Sequence, residues 1–252
     1  MRFKNLPEAF DALVVGASRG IGAEFVRQLL DDESCRQVVA CGRSVADSEA
    51  LPDSERLIRQ PLDVTGEESW QQLVARLDEH GIKPRLLIYT VGILHSEGGI
   101  EPEKRAADLA MESLQQAFGS NVFGAMLMAR YLLPLLSRQE SAVLAHLSAR
   151  VGSIGDNRLG GWYAYRASKA ALNQHMKTLA VELSRSHKQA CVVNLHPGTT
   201  DTGLSKPFQG GVPEDKLFST AFAAGKLLEI LRGVGPADSG RFIAWDGQDI
   251  PW

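Results

Sequence analysis

The 252-residue chain predicts a single doubly wound α/β domain: a mostly parallel seven-stranded sheet with helices on both faces. Three observations predict it. Short apolar runs recur along the sequence, most of them followed by a segment whose apolar residues keep helical spacing. Those runs are continuously apolar rather than alternating, as strands covered on both faces are. No linker or low-complexity tract divides the sequence, which is 44% hydrophobic and 23% charged and has ample material for a core.

Taken in order, residues 12–15 read as a buried strand and 21–30 as a helix. Residues 37–41 give a second strand and 56–58 a weaker third. Residues 67–80 are helical, with Trp70, Leu73, Val74 and Leu77 on one side. A fourth strand covers 85–89. Residues 111–137 form one long helix or two joined ones, ended or kinked by Pro134. Strands at 142–147, 190–195 and 242–245 alternate with helices at 162–185 and 217–231. The cofactor half is about 11–150. Two loops are longer than such folds need, 92–110 with its Gly98-Gly99 pair and 199–216. Both follow strand C-termini, where open α/β sheets bind ligands. We assign both to a substrate rim, the second as a mobile lid.

Charge and composition exclude several classes. A net charge of −3 gives no reason to expect a nucleic acid or an anionic membrane as partner. The first residues lack the apolar core of a signal peptide. The apolar stretch at 122–136 contains Arg130 and Pro134 and is too short to span a membrane. Cys35, Cys41 and Cys191 are far apart and read as buried thiols of a cytoplasmic protein. His95, His146 and His196 have no second ligand at metal spacing, so no metal is expected.

The chemistry centres on Tyr165 and Lys169, in an alanine-rich run that favours helix. Four residues apart, they share a helix face. A free phenol has a pKa of about 10, and a nearby cation lowers it. Lowering it by roughly three pH units corresponds to about 4 kcal/mol and would suit an acid/base at neutral pH. Tyr163, two residues away, has alanine and not lysine at the fourth position, and reads as a pocket wall or packing residue. Alone the pair proves little, since the chain has four tyrosines.

Gly16, Ser18, Arg19, Gly20, Ile21 and Gly22 lie in a glycine-rich turn that follows the first strand and opens the first helix. Such a turn lets backbone approach a pyrophosphate, and the helix N-terminus offers it free N–H groups. After the second strand, where an acidic residue would hold the ribose of NAD, stands Arg43. With Arg19 it suits the 2′-phosphate of NADP(H). Asp63, with Val64 beside it, reads equally as an acceptor for an adenine amino group and as a turn residue.

With the glycine turn, Asp63, Asn121, Ser148, Tyr165 and Lys169 in this order, the chain resembles the short-chain dehydrogenase/reductase family over nearly its whole length. Within it, residues 148–154, 161–169 and 246–252 are similar to C-factor-like and sniffer-like carbonyl reductases. The resemblance implies a Rossmann-type domain and NADPH-dependent reduction of a carbonyl. It implies Tyr165 as acid/base and Lys169 as the residue that lowers its pKa and holds the nicotinamide ribose. It further implies Ser148 as the group polarising the substrate oxygen and Asn121 as the holder of a water linking Lys169 to solvent. Gly92, Pro197, Gly198 and Thr200 would lie beside the nicotinamide. A homodimer or homotetramer through the long helices, with Met126, Leu127, Tyr131 and Leu132, is common among such relatives.

Two features depart from the family pattern. Where it often has Asn-Asn-Ala-Gly, this chain has Tyr89-Thr90-Val91-Gly92, so support of the central sheet must come from elsewhere. Ser148 lies a few positions farther from Tyr165 than usual; if the two do not meet, Ser153 is the nearest substitute. The rival readings are a regulatory or signalling protein that binds the nucleotide with little turnover, and an alcohol dehydrogenase using the same residues in reverse.

Overall fold

The apolar runs become strands because each buries both of its faces. In the computed structural model of the chain, residues 2–96 and 99–252 are described. Gly98 of the glycine pair in the first rim loop lies outside them. In chain order the elements are β1 (Phe10–Val15), α1 (Gly20–Leu30), β2 (Cys35–Gly42), β3 (Leu57–Pro61), α2 (Glu67–Glu79), β4 (Pro84–Tyr89), α3 (Met111–Phe118), α4 (Gly124–Leu132), β5 (Ala142–Leu147), α5 (Tyr163–Ser186), β6 (Ala190–His196), β7 (Thr199–Thr200), β8 (Leu217–Phe218), α6 (Thr220–Gly233) and β9 (Arg241–Ala244). Seven strands form one sheet in the order β3-β2-β1-β4-β5-β6-β9, and every pairing in it is parallel.

Alternate residues of each strand serve opposite cores. Ala12, Val14, Ile88, Ala145 and Val193 pack with α1 and α6. Leu13, Val15, Tyr89, Leu144 and Val192 pack with α2, α4 and α5. The chain order reverses between β1 and β4, so a crevice opens at the C-terminal edge there. All strands end on that edge, which gathers Gly16, Arg43, Asp63, Gly92, Ser148 and Pro197 from six different strand ends.

Two elements differ from the sequence reading. The helix expected over 111–137 is interrupted by a π-helical turn at Gly119–Phe123 and ends in a 3-10 turn, Leu133–Leu135, containing Pro134. The π turn carries Asn121, fully buried. The last long helix starts at Thr220 rather than 217, because Leu217–Phe218 pairs with Thr199–Thr200 and Ser219 caps the helix through Phe222 N–H. Of the four residues offered for an oligomer contact, Leu127, Tyr131 and Leu132 pack on the core, while Met126 is exposed. Among the described residues no helix is long and apolar enough to cross a membrane.

Candidate active site

Helix α5 carries Tyr165 and Lys169 one turn apart on its buried face. The Lys169 ammonium lies 5.7 Å from the centre of the Tyr165 ring and donates to the Leu147 carbonyl at 2.9 Å. Tyr163 points outward and is 41% exposed, against 8% for Tyr165. Burial brings Lys169 down to about 8. Burial also pushes the Tyr165 phenol up, not down as the pairing alone suggested. Both shifts have one cause: removing water disfavours the charged form of either group. A phenol so placed keeps its proton at neutral pH.

Asn121 locks the entrance of the first rim loop. Its Oδ1 accepts from Ile93 N–H at 2.7 Å, and its Nδ2 donates to the Ile93 carbonyl at 3.1 Å and to Ser168 Oγ at 2.9 Å. Ser168 in turn donates to the Tyr165 carbonyl. One amide hydrogen thus holds the rim-loop backbone and the other the Ser168 hydroxyl. A Cβ at Gly92 would stand 3.4 Å from Lys169 Nζ and 3.7 Å from Asn121 Oδ1, which places Gly92 against both side chains.

Ser148, expected to polarise the substrate oxygen, is hydrogen-bonded within the fold. Its hydroxyl donates to Asn173 Oδ1 at 2.6 Å, and the same oxygen accepts from Asn194 Nδ2 at 3.1 Å. Asn173 lies two helical turns beyond Tyr165. A hydroxyl has one proton, and this one is committed away from the phenol. Ser153, the substitute, is 2% exposed; its Oγ accepts from Asp156 N–H at 3.1 Å.

At the glycine turn, Gly16 has φ 90° and a Cβ there would lie 2.5 Å from Thr90 Oγ1. The Thr90 hydroxyl lies 2.9 and 3.1 Å from the Val15 and Gly16 carbonyls, which share its one proton. This is the support that the missing asparagines left open. The threonine after the fourth strand was its visible signal. A Cβ at Gly22 would strike the Gly16 carbonyl at 2.2 Å, so the turn is packed as tightly as glycine allows. Ser18 is fixed by Ser48, whose hydroxyl donates to its carbonyl. Helix α1 then begins at Gly20 with no side-chain cap and no acid in its first turn. Arg19 and Arg43 are exposed, and neither forms an ion pair among the described residues.

Asp63 is exposed and its Oδ1 accepts from the Thr65 N–H and hydroxyl. Those bonds, and the Arg43 charge, hold its carboxyl below the usual range. The Val64 carbonyl accepts from Trp70 Nε1. Gly198, φ 74°, leaves no room for a Cβ, which would stand 2.6 Å from Phe218. Thr200, 4% exposed, follows it in β7. The two rim loops meet above α5. His95 Nε2 lies 3.0 Å from the Gly203 carbonyl, and Phe208 packs against His95 at 5.6 Å and Trp162 at 5.0 Å. Trp162 lies 6.3 Å from the Tyr165 ring.

A family model described as short chain dehydrogenase matches residues 11–211. The chain belongs to the short-chain dehydrogenase family. It is 32% identical over 240 residues to the 1-hydroxy-2-glutathionyl-2-methyl-3-butene dehydrogenase of Rhodococcus sp. (strain AD45), covering 95% of this chain and 98% of that one. The carbonyl reductase Sniffer of D. melanogaster superposes with a TM-score of 0.85 at 23% identity, over 97% of this chain and all (100%) of that one. A short-chain dehydrogenase/reductase of Burkholderia multivorans, solved with bound NADP, gives a TM-score of 0.77 at 26% identity, over 98% and 100% of the two chains. The protein is thus an oxidoreductase of a family that uses a nicotinamide cofactor on small molecules. Its residues fit that cofactor: an uncapped helix end, and a glycine turn with no room for a side chain at Gly16 or Gly22.

Proposed function

We propose that this dehydrogenase reduces the carbonyl of a ketone, aldehyde or quinone to the alcohol with NADPH, and that Tyr165 gives the proton. The observation that carries the reading is the pair on α5: Lys169 Nζ stands 5.7 Å from the Tyr165 ring, and burial keeps the phenol protonated. NADPH, when bound, supplies the hydride to the carbonyl carbon. Gly16 to Gly22 and the N–H groups opening α1 hold its pyrophosphate. Arg19 and Arg43 pair with its 2′-phosphate, and Gly92, Pro197, Gly198 and Thr200 line the nicotinamide end. Asp63, with one carboxylate oxygen free of Thr65, and the Val64 backbone lie beside the adenine.

On the protein side, Tyr165 donates to the substrate oxygen as negative charge grows there. Lys169 stabilises the phenolate left behind and hydrogen-bonds the nicotinamide ribose. Asn121 and Ser168 keep α5 in register with the first rim loop. Ser148, bonded to Asn173, supports α5 from below. His95, Trp162 and Phe208 close the substrate side away from water.

The reading is tested with Tyr165→Phe. NADPH binding should stay within about threefold of the parent while turnover falls about 100- to 10,000-fold. Retained turnover would mean that another acid serves. Binding of NADPH without turnover across ketones, aldehydes and quinones would favour the regulatory reading instead.

A further inference from the structure

Glu103, in the first rim loop, holds the start of the helix that carries Tyr165. Its backbone carbonyl accepts from Trp162 N–H at 2.5 Å, and its Oε2 accepts from Ala164 N–H at 3.1 Å. The residue is 4% exposed, and its Oε1 is buried with no hydrogen-bond partner among the described residues. A buried carboxylate with a spare oxygen opposes folding. The Ala164 N–H and the positive end of α5 are what offset it.

The backbone it holds is one that needs holding. Gly160, Gly161 and Trp162 have φ of 63°, 66° and 51°, three left-handed residues in succession. Glycine adopts that region freely, whereas a tryptophan resists it. Among the described residues, Trp162 is the one non-glycine residue with positive φ. The reversal lays its indole between Phe208 of the second rim loop and the Tyr165 ring. One residue, through its main-chain carbonyl to Trp162 and its carboxylate to Ala164, thus ties together the first rim loop, the substrate wall and the first turn of α5.

We propose that Glu103 is a positioning residue for carbonyl reduction: it fixes Trp162 and the first turn of α5, and so sets where the Tyr165 hydroxyl meets the substrate oxygen. This rests on the reading of Tyr165 as proton donor. Glu103→Ala, Glu103→Asp and Glu103→Gln are compared with the parent using NADPH and benzaldehyde. Acrylamide quenching of Trp162 emission is measured alongside, as the difference between each protein and its Trp162→Phe partner. The alanine variant loses the acceptor, and the aspartate falls one methylene short of Ala164. The glutamine keeps an oxygen for Ala164 N–H. Ala and Asp should lower kcat about 10- to 100-fold with KM and NADPH affinity within about threefold, while Gln should recover kcat to within about threefold. Trp162 quenching should rise in Ala and Asp and not in Gln.

The proposal is overturned if Ala and Asp keep the parent kcat and quenching, if Gln falls as far as Ala, or if KM moves and kcat does not. Where the alanine variant does not fold, the Asp and Gln pair decides alone. Should Tyr165→Phe retain turnover, or the parent not reduce benzaldehyde, the proton-donor reading is what is in question. The quenching series then decides the Glu103 contact by itself.

Discussion

Two helix ends in this protein use the same backbone device for opposite purposes. Helix α1 follows the Gly16 turn, has no side-chain cap, and has no acid in its first turn. Helix α5 follows Gly160 and Gly161, and likewise has no acid of its own in its first turn. Yet the α5 end receives the Glu103 carboxylate, from 61 residues upstream. Both ends carry the same partial positive charge. One is left open, beside the exposed Arg19 and Arg43, and the other is filled by the protein itself. An open end suits an anion that must come and go. A filled end suits a side chain, Tyr165, that must not move.

The first test of this contrast is at the open end. Arg19→Ala with Arg43→Ala removes two guanidiniums and leaves the glycine cradle intact. The KM for NADPH should rise about 100-fold, on the strength of two charge-assisted bonds, and that for NADH by less than about threefold. Steady-state rates with each cofactor measure it. Equal changes would place neither arginine at the 2′-phosphate.

A second effect separates chemistry from stability inside the closed end. Burial lowers Lys169 to about 8 from its ordinary 10.5. The folded protein therefore loses this proton while the unfolded chain still holds it. Between those values the unfolded state binds more protons, so this group's contribution to stability rises with pH. Reduction needs the cation beside the phenol, so kcat/KM should fall by about tenfold per pH unit once pH exceeds about 8. Activity and thermal midpoint should thus move in opposite directions above neutrality. In Lys169→Met, turnover should vanish while the pH-dependent gain in midpoint disappears. A midpoint profile that keeps its slope in that variant would assign the titration to another group.

The open end was legible in the sequence and the closed end only half so. Gly16 to Gly22 work through local backbone, so their spacing after a strand carries their meaning. Tyr165 and Lys169 are also local, one turn apart, and their shared face followed from helix geometry. Glu103 gave no signal, because its target is α5 and nothing in the intervening loop marks it. Ser148 is a related case. Its position at a strand end was legible, but the acceptor of its proton in this structure, Asn173, lies on a helix whose rotation over the sheet the sequence does not show. The Tyr165 phenol was read from its charged neighbour alone, whereas burial by the surrounding elements decides the direction of its pKa.

Ser148 gives the smallest predicted effect and the finest test of the contrast. If the hydroxyl serves α5 rather than the substrate, Ser148→Ala removes one of two donors to Asn173 Oδ1 and leaves Asn194 Nδ2 in place. The buried acceptor stays partly satisfied, so stability should fall by only about 1 kcal/mol. The phenol and its lysine are untouched, so kcat should stay within about threefold of the parent. Denaturant melts and initial rates on the same preparation read both. A loss of kcat as large as that of Tyr165→Phe would show that the hydroxyl leaves Asn173 during turnover and meets the substrate oxygen. The lower part of the closed end would then be a moving part of the reaction rather than its support.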